Sequence, residues 1–280
     1  MLAKHQKLQI LAQKIRCQVI EISHKAHKGH IGSALSICEL VAVVSSNARG
    51  LGTSDPKRDR VVLSKGHAAL AWYSALEQQG ILTTETLNTY MCNDTLLGTH
   101  PDPQLDGVDF MTGSLGQGLG YGVGAALAGV ISNDDRMSFV VLSDSELNEG
   151  STWESAALAG QLKLRNLLVF LDLNGQQALG KTEDILPTSY AIGSWSEFGW
   201  NVQRVDGHSA EQIQKAIDQH ERSASGPLLI VATTISGRGV SFMEREVKWH
   251  YMPMSETEFI DASMQVTETL ARLEDETRDL

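Results

Sequence analysis

Apolar residues at Leu8, Leu11, Ile15, Val19 and Ile22 recur every three or four positions, and this spacing predicts an amphipathic helix over residues 4–22. Residues 23–33 break the period with three histidines and two glycines, and they read as a loop. A second apolar helix is expected near 36–46, and a polar connection leads from it into the short apolar run Arg60–Leu63, a strand. Helical spacing returns over 67–79, with Gly80 where a C′ glycine belongs. Farther on, the glycine-rich segment 113–124 leads into a helix of Ala, Gly and Leu. The runs 137–142, 166–172 and 228–233 are short, continuous and apolar, and they read as buried strands, with another at 200–205. Helical patterns at 150–162, 188–198 and 210–221 separate the later runs.

This alternation predicts an α/β fold, a mostly parallel β-sheet with helices on both faces. Ligands of such sheets sit at the carboxyl ends of the strands, so function is expected in the loops after Leu63, Leu142, Asp172 and Thr233. No internal repeat, low-complexity tract or proline-rich linker divides the chain, and residues 1–280 read as a single domain. Residues 255–280 are expected to form a surface helix with a frayed, acidic end.

Charge narrows the partners. With 23 basic against 34 acidic residues the formal net charge is −11, which argues against nonspecific nucleic-acid binding, since that rests on phosphate neutralisation. A local anion site built from backbone N–H groups and a few cations is not excluded by it. Cys17, Cys38 and Cys92 are widely spaced and form no CxxC pair, so neither a disulfide framework nor a zinc site is expected. Residues 1–7 lack the apolar core of a signal peptide, and no apolar run approaches the roughly 20 residues of a membrane span. The expectation is a cytoplasmic chain without a membrane partner.

The sharpest chemical signal is a pair of loops. The run ending at Leu142 continues as Ser143-Asp144-Ser145-Glu146-Leu147-Asn148-Glu149-Gly150, and the run ending at Leu171 as Asp172-Leu173-Asn174-Gly175-Gln176. Asp144 and Asn174 thus offer two hard oxygen ligands at neighbouring strand ends, where Mg²⁺ would complete its octahedron with water and phosphate oxygens. Spacing alone is equally satisfied by Asp144 capping the next helix and Asn174 making a turn with Gly175.

Further motifs separate the two readings. Gly29-His30, Leu63-Ser64-Lys65-Gly66-His67-Ala68, His100-Pro101, Gly113-Ser114-Leu115-Gly116-Gln117-Gly118 and Glu146-Leu147-Asn148-Glu149-Gly150 occur in one order. In that order and spacing the chain resembles the transketolases, from about residue 10 to residue 253, and only their N-terminal, thiamine-diphosphate-binding domain. The resemblance implies that Asp144 and Asn174, with the main-chain carbonyl of Gln176, hold Mg²⁺ or Ca²⁺ against the diphosphate of thiamine diphosphate. It places His67 and His250 on the diphosphate, Gly113 on the aminopyrimidine and Leu115 beneath the thiazolium. His30 and His100 match histidines of the substrate channel that assist proton transfers, a duty suited to an imidazole pKa of about 6.5. Glu149 matches a glutamate in a carboxylate network that crosses the subunit interface. His5, His24, His208 and His220 lie outside the motifs and read as structural, and His27 is left between the two classes.

Three features stand against or beside that pattern. The family's usual Gly-Asp-Gly is Ser143-Asp144-Ser145 here, so Ser145 would lie against the diphosphate with a Cβ and a hydroxyl, strained if its φ is positive. Gly120-x-Gly122-x-x-Ala125 formally matches a dinucleotide fingerprint, but residues 106–112 make a poor buried strand before it. The glutamate that activates the aminopyrimidine, and most groups that grip a substrate phosphate, belong to the domains that follow in transketolases and have no counterpart here. The resemblance therefore implies a split enzyme, with Met1 and the acidic helix before Leu280 read as its natural ends. Its partner would be a C-terminal transketolase subunit carrying the pyrimidine-binding domain, in a heterotetramer. The implied reaction moves a two-carbon ketol unit from a ketose to an aldose, as free sugars or sugar phosphates. A related thiamine-diphosphate enzyme with other substrates, or a degenerate non-catalytic subunit, are the alternatives.

Overall fold

The structure is a computed structural model that describes residues 3–186, 189–223 and 225–278. Helices α1 (Lys4–Ala26), α2 (Ile31–Ser36) and α3 (Cys38–Asn47) precede strand β1 (Arg60–Leu63), which is followed by α4 (Ala69–Gln78) and α5 (Thr84–Leu87). A long loop leads to α6 (Gly118–Ser132), β2 (Ser138–Ser143), α7 (Gly150–Gln161) and β3 (Leu167–Leu173). Next come a small hairpin, β4 (Gln176–Gln177) and β5 (Gly180–Lys181), and the short helices α8 (Thr182–Ile185) and α9 (Ser194–Glu197). The chain finishes with β6 (Asn201–Asp206), α10 (Ala210–Ser223), β7 (Leu228–Thr233), α11 (Lys248–Tyr251) and α12 (Glu256–Arg278).

The main sheet has the order β1-β2-β3-β7-β6, and each of its pairs is parallel. Alternate strand residues bury opposite ways. Val61, Phe139, Val141, Leu168, Phe170 and Ile230 join a core with α1, α3, α4 and α10, while Val62, Val140, Leu142, Val169 and Leu171 face α6 and α7. A sheet covered on both faces explains why these strands read as unbroken apolar runs rather than alternating ones. The small residues of α6 let it lie close on the sheet: a Cβ on Gly122 would fall 2.2 Å from Val140 Cγ2, and one on Gly118 2.1 Å from Ser64 Oγ. No strand precedes this helix among residues 106–117, so close packing, not dinucleotide binding, accounts for its glycines.

The strands stand within one residue of their expected ends, and Leu228–Thr233 matches in full. Two expectations need correction. The first helix runs on to Ala26, because His27 takes the left-handed cap at φ 51° and its N–H donates to His24 O, so only four residues separate α1 from α2. The helix expected over 188–198 is a 3₁₀ turn, Ser189–Gly193, and the four-residue α9; residues 187 and 188 lie outside the described set. The terminal surface helix is present as α12, mostly exposed but fastened to α1: it buries Ala262 and Val266, and Gln13 donates to Val266 O at 2.7 Å. No described helix is long and apolar enough to cross a membrane.

Candidate active site

Parallel strands release their loops at one edge of the sheet, and the expected functional loops meet there. Register alone sets the first pair of groups: Ser143 stands beside Asp172, so Asp144 and Asn174 follow on adjacent strands. Asp144 is buried; its Oδ2 accepts from Gly175 N and from Thr182 Oγ1, each at 2.9 Å, while its Oδ1 has no partner. Burial first, and then the nearby Asp172 carboxylate, push the Asp144 carboxyl up to about 7. Asn174 donates through Nδ2 to Asp172 Oδ2 at 2.8 Å, and its Oδ1 accepts from Gln176 N at 2.8 Å. Gln176 starts the small hairpin, and its side-chain amide donates to Arg245 O in the loop after β7. Among the described residues no set of three or more His, Cys, Asp or Glu is arranged to hold a metal by itself. The donors gathered here are one carboxylate, one amide oxygen and main-chain carbonyls.

Beneath this pair lies a group that sequence reading passed over. Lys65, fully buried, makes an ion pair with Asp172 and approaches Ser36 Oγ at 3.4 Å. Asp172 also accepts from Ser36 Oγ at 2.8 Å, from Asn174 and from the Thr234 hydroxyl. Four segments are thus fastened around one buried carboxylate. The only signals for it were a lysine inside the apolar Leu63–Ala68 stretch and an aspartate two residues before Asn174, on the same strand face.

Three imidazoles form a triangle nearby. The ring centroids of His30 and His67 are 5.5 Å apart, those of His30 and His250 5.1 Å, and those of His67 and His250 5.4 Å. His30 sits at φ 61° as the cap residue of α2, and its N–H donates to His250 O at 3.2 Å. A left-handed backbone at a non-glycine residue persists where its surroundings enforce it. Behind it Gly29 is packed so closely that a Cβ would fall 2.2 Å from Tyr251 O. Burial, followed by Lys65 and the neighbouring rings, holds His67 well below its ordinary value. Burial, then His30 and Lys65, bring His250 down to about 4, and burial and then His100 lower His30. Three neutral rings therefore stand side by side at pH 7, and His30 Nδ1 has no partner. Neutral imidazoles beside a buried lysine are a ready acceptor of negative charge.

His100 is exposed, and its ring lies against the Gly113 backbone: a Cβ at Gly113 would meet His100 Cδ2 at 3.1 Å. Tyr73 Oη donates to His100 O at 3.0 Å and fixes that stretch. Leu115 is half-buried in the turn before Gly116, whose φ of 86° suits glycine. Glu149 is exposed and is the cap residue of α7, its Cβ so close to Gly116 that a Cβ there would lie 2.5 Å away. Ser145 falls inside the 3₁₀ turn Asp144–Asn148 and is not among the residues with positive φ, so replacing a glycine there brings no backbone strain. Its hydroxyl lies 2.9 Å from that of Ser143. His208 and His220 are tied to Glu39 and to Arg165 O, respectively, away from the triangle, and His24 stacks on Phe259.

Comparison with known proteins identifies the family. Residues 7–267 match the family model of the transketolase thiamine diphosphate binding domain. The 6-deoxy-6-sulfo-D-fructose transketolase subunit SqwG of Clostridium sp. strain MSTE9 is 38% identical over 253 residues, covering 89% of this chain and 92% of that one. An apulose-4-phosphate transketolase subunit of Phocaeicola vulgatus is 34% identical over 272 residues, 96% of this chain and 97% of that one. Human transketolase is 38% identical over 263 residues, but these are only 41% of its length. Among solved structures, transketolase from Campylobacter jejuni superposes with a TM-score of 0.88 at 28% identity, over 98% of this chain and 46% of that one. A match of this extent, on a fold whose strand-end loops gather the expected residues, settles the family: the chain belongs to the transketolases, as their thiamine-diphosphate-binding domain.

Proposed function

We propose that this chain, an N-terminal transketolase subunit, binds the diphosphate half of thiamine diphosphate with Mg²⁺ or Ca²⁺ and transfers two-carbon ketol units when joined to a C-terminal, pyrimidine-binding subunit. The observation that carries the reading is the buried, unpartnered Asp144 Oδ1 at a strand end beside Asn174. A buried carboxylate oxygen without a donor is costly, and a divalent cation would satisfy it. Asp144, Asn174 and the Gln176 carbonyl would serve as protein ligands, and His67, His250 and the buried charge of Lys65 would face the diphosphate. When bound, thiamine diphosphate supplies the electron sink that lets a ketose carbon–carbon bond break.

The chain's own residues do the rest. Leu115 would keep water from the thiazolium, and the Gly113 backbone, against which the His100 ring lies, would meet the aminopyrimidine. Half-buried His30, held neutral by burial, can take a proton from a substrate hydroxyl, and exposed His100 can return one. Glu149, exposed beside the Gly116 turn, is free to meet a partner carboxylate.

Relatives named as subunits and covered along nine-tenths or more of their length support a two-chain enzyme, for which we propose a cytoplasmic heterotetramer with this chain folded as a single domain. The ketoses in their names end in a phosphate or a sulfonate, so the donor class proposed here is a ketose with a strong anion at its far end. The test is product formation from xylulose 5-phosphate and ribose 5-phosphate, and from sulfonated and branched ketoses, by the chain with and without its partner. Activity with one donor only in the mixture supports the reading. Full activity of the pure chain would refute the division of labour, and none with any donor would leave a non-catalytic subunit.

A further inference from the structure

Glu146 has no part in the mechanism above, yet it is completely buried and its one carboxylate meets three of the loops. Oε1 accepts from the Ser64 hydroxyl, in the loop after β1, and from Gly116 N at 3.0 Å, in the turn that carries Gly113 and Leu115. Oε2 accepts from Ser143 N at 2.9 Å and Ser143 Oγ at 3.3 Å, one residue before Asp144. Burying a carboxylate is expensive unless its lone pairs are filled, and here a backbone donor stands at each oxygen. Those two N–H groups in turn need an acceptor that buried surroundings otherwise withhold. The turn has little freedom to re-form, because Gly116 is in the left-handed region and packed against Glu149 and Ser151.

We propose that Glu146 is a positioning residue for the bound cofactor. Its carboxylate clamps the 113–116 turn to the ends of β1 and β2 and so fixes the distance between the groups at the two ends of thiamine diphosphate. At one end stand Gly113 and Leu115, at the other Asp144, and Glu146 is bonded to the turn of the first and to the immediate neighbour of the second. It also accounts for Ser143: where the family usually has glycine, the serine hydroxyl donates to this carboxylate. The inference rests on the thiamine-diphosphate reading. A carboxylate that merely stabilised the fold would not discriminate between a ligand spanning both ends and one touching a single end.

The test compares the wild-type chain, assembled with its partner, with Glu146→Gln and Ser64→Ala. An amide cannot present acceptors to both backbone donors, and the alanine removes one donor while leaving the carboxylate. Calorimetric titration with thiamine diphosphate, and separately with inorganic diphosphate, both with excess Mg²⁺, is run well below each variant's melting temperature. Glu146→Gln should weaken thiamine diphosphate about tenfold or more, the scale of a lost charged hydrogen bond, and inorganic diphosphate less than about twofold. Ser64→Ala should shift the same ratio in the same direction by about threefold, and it carries the test if Glu146→Gln does not fold. Equal losses for both ligands, or a lowered melting temperature with unchanged affinities, would overturn the proposal. A wild-type assembly that binds neither ligand would overturn the functional reading itself, and this inference with it.

Discussion

Two of the buried polar clusters in this molecule differ in one respect. Under α1 and α3, Arg16 donates to Glu39 at 2.7 and 2.9 Å, to Gln13 Oε1 at 2.7 Å and to Arg238 O at 3.0 Å. Glu39 also meets His208 Nδ1 at 3.1 Å, and His208 Nε2 accepts from Ile235 N at 2.9 Å, which assigns the neutral, Nδ1-protonated ring. These contacts close on one another. At the sheet edge, burial is as deep, but Asp144 Oδ1 and His30 Nδ1 end without partners. Burial of charge is therefore no mark of a ligand site in itself. Other buried polar atoms, Gln18 Oε1 and Asn166 Oδ1 among them, also lack partners, so what sets the sheet edge apart is that its bare atoms stand among the strand-end loops that carry the expected site residues.

The contrast can be broken most forcefully at Arg16. Arg16→Ala leaves Glu39 buried without its cation, and about 3–5 kcal/mol of stability should be lost, enough to unfold much of the chain. Chemical denaturation followed by circular dichroism measures it, and a loss below about 1 kcal/mol would end the description of this cluster as a closed structural unit. Asp144→Ala should behave oppositely. It breaks the bonds from Gly175 N and Thr182 Oγ1, but it also relieves a buried carboxylate beside Asp172, so it should cost less stability than Arg16→Ala, while metal-dependent binding of thiamine diphosphate disappears. Unchanged cofactor affinity in that variant, or in excess chelator, would remove Asp144 from the site.

On the proposed reading the open cluster divides into cofactor and substrate groups. His30→Ala and His100→Ala should slow ketol transfer in the assembled enzyme by about 10²–10⁴-fold while leaving cofactor affinity within about threefold. Turnover that survives both substitutions would make these rings structural. The smallest effect is a pH dependence of the chain without cofactor. His67 and His250 are held below the ordinary 6.5 by burial, so the unfolded chain binds more protons than the folded one in mildly acid solution. Their contribution is complete above pH 6.5 and is lost as pH falls toward the His250 value of about 4. Melting temperature should drop between pH 7 and pH 5, and less steeply in His250→Asn. Glu39 adds a later acid loss: burial alone would raise it, but Arg16 and His208 together outweigh burial and hold it at about 2, so its stabilisation fades below its ordinary 4.5.

The linear order of residues was enough for the layers, the strands and most of the candidate site. Continuous apolar runs of strand length have one stable home, a sheet covered on both faces, and a parallel sheet presents its loops at one edge. Asp144, Asn174, His30, His67, His100, Gly113 and His250 were legible because motif order tied each to a loop. The α1 terminus was misjudged because His27 caps in a left-handed conformation usually left to glycine, and the helix expected over 188–198 gave way to buried packing of Trp195 on Trp200.

Only tertiary structure decided the rest. Lys65 and Asp172 are 107 residues apart, and Glu146 and Ser64 are 82 apart, so no local pattern pairs them. Whether a serine in place of glycine strains the loop after β2 depended on a backbone angle, and Ser145 turned out to lie in an ordinary 3₁₀ turn. Propensity and periodicity act over a few residues and fix which face is apolar. The balance between a satisfied buried charge and a bare one is a sum over groups brought together from distant loops, and it exists only once the sheet has set their distances.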